Sequence, residues 1–80
     1  MLGSSSAVAR LGLQPLARVV GYSDAALQPT SWPVAPATGV RQLLDTHGLQ
    51  PEDISLWEIN EAFAVVVLAN CRLLGIPLAK

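Results

Sequence analysis

The stretch WEINEAFAVVVLANC, residues 57–71, sets a polar pair, Asn60-Glu61, in an otherwise almost wholly apolar run. An asparagine amide at the carboxyl end of a strand could donate a hydrogen bond to a developing oxyanion, directly or through a held water. The same pair also reads as a helix start, since Asn is a favoured N-cap and a first-turn Glu complements the helix dipole. On position alone the cap is the simpler reading, and both stay open.

The other reactive side chains offer less. His47 could act as a general base, but it falls in the last turn of a predicted helix beside Gly48, where a histidine complements the helix C-terminus. Cys71 could be a nucleophile, yet it lies mid-helix among Leu68, Arg72 and Leu74 with nothing nearby to lower its pKa. It reads better as a small buried hydrophobe. Asp24, Asp45, Glu52 and Asp53 sit near turns and helix ends and read as solvated surface. No Gly-rich phosphate loop and no Ser-His-Asp arrangement is present in the sequence.

The elements that must position these residues follow from spacing and punctuation. Ser4 to Leu11 reads as a short serine-capped helix stopped by Gly12. LARVVGY, residues 16–22, is rich in strand formers, with Gly21 as a bulge candidate. Ser23 to Pro36 carries Pro29, Pro33 and Pro36 and is expected to be a long loop. A helix then runs from Pro36 to His47, with Val40, Leu43, Leu44 and His47 on one face and Gly48 as its stop. Residues 51–53 turn the chain into ISLWEI, residues 54–59, a second predicted strand. Glu61 to Leu74 reads as a helix ended by Gly75 and Pro77; its length outweighs the strand preference of Val65–Val67. Apolar on nearly every face, that helix is expected to be buried. The order is helix, strand, long loop, helix, strand, buried helix: an α/β pattern whose strands need neighbours that these residues do not supply.

Composition bounds the function. The chain has 80 residues, 51% of them hydrophobic and only 14% charged, with a mean hydropathy of +0.43. Small independent domains carry about a quarter charged residues, so this chain looks like the interior of a larger body. The net charge is −1 and the basic residues are scattered, which leaves no patch for nucleic acid. One cysteine rules out an internal disulfide and a multi-cysteine metal site, and fits a reducing compartment. The run Ala62–Ala69 is far short of the about 20 residues a membrane span requires. Residues 1–23, with three consecutive serines, two arginines and no acid, have the profile of a transit peptide. A helix followed by a strand is the preferred reading of that segment.

NEAF at a strand-to-helix junction, preceded by EDISLWEI, resembles the thiolase family. PLARVVGYSDAALQP, PVAP and VVVLANCRLLGI extend the resemblance along nearly the whole chain in matching order, and bring it nearest to the mitochondrial acetyl-CoA C-acetyltransferase branch. The resemblance takes in AVARLGLQPLAR as well, which weakens the transit-peptide reading and makes residues 1–14 the end of a strand and the helix after it. It implies that residues 1–80 are part of a thiolase C-terminal domain of α/β class. It also implies a mitochondrial setting (a cytosolic one being possible) and a parent that forms dimers or tetramers. The implied chemistry is Claisen condensation of acetyl-CoA, or thiolysis of short 3-ketoacyl-CoA. Coenzyme A thioesters are the substrates, with no cofactor or metal.

Carried onto this chain, the family pattern makes Asn60 the catalytic residue, holding a water that binds the thioester oxygen as it becomes an enolate. Glu61 then supports the helix start, while Ala62 and Phe63 border the thioester and pantetheine end. Trp32 and Pro33, at the loop tip, fall near the acyl group, where this branch accepts a branched 3-ketoacyl chain. A tryptophan is bulkier than that tolerance calls for, and an aromatic anchor pinning the loop is the alternative role for Trp32. The family's nucleophilic cysteine, its Gly-His-Pro histidine and its second cysteine have no counterpart here, and Cys71 matches neither cysteine. The 80 residues alone are therefore expected to be inactive. A non-catalytic short product that binds a full-length thiolase, or serves as an interaction segment, is the alternative.

Overall fold

The computed structural model describes residues 1–79. It contains three α-helices and two 3-10 turns. Helix α1, Ser5–Leu11, starts where Ser4 Oγ accepts a hydrogen bond from the Ala7 amide at 3.2 Å. It stops at Gly12, whose φ of 61° brings the Leu13 amide back to the Val8 carbonyl at 3.0 Å. No residue of α1 is buried.

The expected long loop is only half irregular. Its second part, Pro29–Val34, winds into a 3-10 turn that leads directly into α2, Ala35–His47. Pro36 occupies the first turn of α2, where its missing N–H has no intrahelical partner to lose. Gly48 ends the helix at φ 64°, and the Leu49 amide closes onto the Leu44 carbonyl at 3.0 Å. Of the expected face, Leu44 is buried, Val40 and Leu43 are half-buried, and His47 is exposed. Ala37, only 2% exposed, joins them as the tightest contact.

Helix α3 spans Ala64–Leu74 and begins three residues later than Glu61. Its N-cap is Phe63, in extended conformation, and no side chain caps the end. Asn60 is therefore not a helix cap, and Glu61 lies outside the first turn. The expected all-round burial is also corrected. Val66, Asn70, Cys71 and Leu74 are buried along one face, whereas Val65 and Leu68 are more than half exposed on the other.

Neither predicted strand, 16–22 or 54–59, forms among the described residues. The cause is the shortage of neighbours. A strand is held by pairing along its edges, and an unpaired apolar segment satisfies neither its amides nor its side chains. Leu16 and Val19 accordingly stand in the open, at 104% and 72% exposure. Gly21 is not a bulge but a close crossing. A Cβ there would collide with His47 Nε2 and meet Leu43 Cδ1 at 3.0 Å, so a glycine lets this segment lie against α2.

The core gathers Ala37 of α2, Cys71 and Leu74 of α3, and Ile76 just beyond it, with Val40, Trp57, Ile59 and Val67 packed around them. Arg41 Nη2 donates to the Leu73 carbonyl at 2.7 Å, tying α2 to the C-terminal end of α3. Beyond this core the molecule is open. Its radius of gyration is 15.5 Å, against about 12 Å for a compact domain of this length. The accessible surface is 6581 Å², roughly 2000 Å² above that of a compact monomer of the same mass.

Candidate functional site

Asn60 lies in the non-helical approach to α3, where the late helix start leaves residues 60–63 free of helical geometry. Its exposed side chain lines a groove of about 260 Å³. The walls are largely apolar: Trp32 and Pro36 from the 3-10 turn and the start of α2, Val40 from α2, and Val66 from α3. Trp57, Ile59 and Ala62 complete them, and Glu58 adds a carboxylate. The neutral donors here are the Asn60 amide and the indole N–H groups of Trp32 and Trp57. The groove can hold a short apolar group and offer a hydrogen bond to a carbonyl oxygen.

The structure brings Asn60, Ala62 and Trp32 together in this groove. Phe63 joins from the side, with its ring 6.4 Å from that of Trp32 and tilted by 55°, a separation at which aromatic pairs attract. Pro33 behaves differently. It is not among the walls, and its carbonyl accepts a hydrogen bond from Asn70 Nδ2 at 2.7 Å.

His47 and Cys71 stay outside the site. His47 lies against Gly21, and Cys71 is a free thiol buried in the core at 8% exposure. No cluster of His, Cys, Asp and Glu suited to a metal occurs among the described residues. No helix among them is long and apolar enough to cross a membrane.

Two residues, one in the groove wall and one behind it, were not singled out by sequence. Trp57 Nε1 is buried and has no hydrogen-bond partner among the described residues. Asn70 is completely buried and fully engaged. Its Oδ1 accepts from the Ala37 amide at 2.8 Å, and its Nδ2 donates to the carbonyls of Pro33 and Val66, each at 2.7 Å. The available signal was an amide inside an apolar helix, since a buried amide must find partners.

Residues 13–80 match the family model for the thiolase C-terminal domain. The whole chain is similar to acetyl-CoA acetyltransferase A, mitochondrial, of Xenopus laevis, at 52% identity. It is 49% identical over its full length to acetyl-CoA acetyltransferase, mitochondrial, of Mus musculus. The same enzyme of Danio rerio is 49% identical over 95% of the chain. The chain spans about 19% of the length of the Xenopus and mouse proteins. A domain match across most of the sequence, with half the residues shared along its full length, gives one conclusion: the chain belongs to the thiolase family.

Proposed function

We propose that residues 1–80 supply part of the acyl-CoA site of a mitochondrial, thiolase-type acetyl-CoA acetyltransferase. Asn60 is the donor on the side where the thioester oxygen gains charge. As the enolate of acetyl-CoA forms, negative charge moves onto that oxygen, and a fixed amide or an amide-held water stabilises it more than the ground-state carbonyl. Ala62 and Phe63 border the thioester end, and Trp32 bounds the acyl end, with Pro33 serving the turn that carries it. The observation that carries this reading is the position of Asn60: uncapping, exposed, and in one groove with Trp32 and Ala62.

The test uses a complete enzyme in which these 80 residues replace the matching stretch of the Xenopus laevis protein. Asn60→Ala is expected to lower kcat for acetoacetyl-CoA thiolysis by about 10²–10³-fold, the scale of losing one oxyanion donor. An unchanged kcat would remove Asn60 from the chemistry. The 80-residue chain alone supplies no nucleophile of the family pattern, and is expected to cleave no acetoacetyl-CoA above buffer background.

A second reading is favoured by the roughly 2000 Å² of surplus surface. The chain then acts by binding a full-length thiolase rather than by catalysis. Co-purification of the 80-residue chain with a tagged full-length enzyme supports this, and separate elution of the two counts against it.

A further inference from the structure

Trp32, Pro36 and Val40 line two cavities, not one. One is the Asn60 groove, about 260 Å³. The other is a wider and more open recess of about 700 Å³, bounded by residues 23–27 and the N-terminal part of α2. Trp32 is the large side chain common to both, and it leans on Phe63. The indole is thus a wall shared by a small groove and a larger, more open space.

A shared wall must be held. Trp32 is 45% exposed, so burial alone does not fix it. Its backbone is held instead. The Trp32 carbonyl accepts from the Ala35 amide, while Asn70 grips the turn immediately after it. Through Pro33 O, Ala37 N and Val66 O, the Asn70 amide binds the turn, the start of α2 and the body of α3 at one point. A side chain with both an acceptor and two donors is required for all three bonds. No hydrophobic residue of that size reproduces them.

We infer that Asn70 is a positioning residue that fixes Trp32 as the end wall of the Asn60 groove, and that this wall restricts the groove to short acyl groups. The inference rests on the proposed acyl-CoA function of the groove. Loosening the turn, or removing the indole, joins the groove to the wider recess and admits longer acyl chains. Asn70 itself touches no substrate.

The experiment is a selectivity ratio in the same complete enzyme: kcat/KM for 3-ketohexanoyl-CoA over that for acetoacetyl-CoA. Trp32→Ala and Asn70→Ala are each expected to raise the ratio about tenfold or more, the scale on which a pocket discriminates added methylenes. The double variant is expected to add little, because both changes remove the same wall. Asn70→Ser, which keeps one donor and one acceptor, is expected to fall between wild type and Asn70→Ala. A role in stability alone would lower both kcat/KM values together and leave the ratio unmoved, and that result overturns the inference.

Asn60→Ala separates this inference from the reading beneath it. It should reduce turnover of both substrates and leave the ratio alone. A moved ratio with an inert Asn60→Ala sinks the catalytic role and keeps the wall. If the exchanged enzyme does not fold, the 80-residue chain with Trp57→Phe leaves Trp32 as the sole tryptophan, excited selectively over Tyr22. Asn70→Ala and Asn70→Ser are then expected to red-shift its emission and raise acrylamide quenching at unchanged far-UV helicity. Unchanged emission and quenching overturn the inference.

Discussion

Residues 1–28 and residues 29–76 are both rich in apolar side chains, yet they fare differently. The second region closes on itself: α2 and α3 share a core, and a buried amide ties the 3-10 turn to both. The first region contributes no buried residue, and Leu16, Val19, Val20 and Tyr22 remain open to solvent. The difference is one of partners, not of hydrophobicity. Burial stabilises in proportion to area removed from water, at roughly 25 cal/mol per Å², and only the second region finds surfaces within this chain to cover its own. Gly21 is where the first region approaches the second, and Ser23 Oγ, which donates to the Gly39 carbonyl at 2.7 Å, ties it down nearby.

That contrast can be broken at several places. The largest effect on stability is expected in the second region, from Leu74→Ala. It deletes a 7%-exposed side chain from the core and should cost about 2–5 kcal/mol, read from urea unfolding followed by far-UV circular dichroism. Next is Asn70→Ala, which leaves the Ala37 amide and the Pro33 carbonyl without this partner, while the Val66 carbonyl keeps its helical bond from the backbone amide of residue 70. A loss of about 1–3 kcal/mol is the scale for each buried group left unsatisfied. A loss as small as that of a surface substitution would show that water replaces the amide, and would weaken the case for Asn70 as the clamp.

Gly21→Ala tests the junction between the regions. Its new Cβ would meet the side-chain tips of His47 and Leu43, which can swing aside since His47 is exposed, so the expected cost is about 1 kcal/mol or less, the low end of overpacking, with faster amide exchange in 16–28. The smallest effect belongs to the first region. Leu11→Ala, at a position 57% exposed, should change stability by no more than about 0.5 kcal/mol. A large loss there would mean that α1 is packed in solution, and the contrast between the regions would fail.

Much of the local structure was legible before the fold. The helix near Ser4–Leu11, the helix ending at His47, the turn at 51–53 and the stop at Gly75 all follow from caps, glycines and prolines acting within a few residues. The start of α3 was misread because Asn60-Glu61 has the chemistry of a cap, while the chain enters the helix only after Phe63. The two strands were misread because β-propensity reports how a side chain suits a sheet. It does not supply the sheet. Of the residues that family resemblance pointed to, Asn60, Ala62 and Trp32 share one groove, Phe63 packs against the Trp32 ring, and the Pro33 carbonyl bonds Asn70.

The sequence by itself determined where helices stop, that the chain is too apolar to resemble an independent small domain, and which residues match a thiolase. Only the tertiary structure decided which groups Asn70 bonds, which face of α3 is covered, and that Trp32 lines both the groove and the wider recess. The reason is separation along the chain. Asn70 meets its partners Ala37 and Pro33 across 33 and 37 positions, and no periodicity or propensity reaches that far. Such contacts exist only once helices have packed, because their geometry is set by the whole arrangement and not by any one segment.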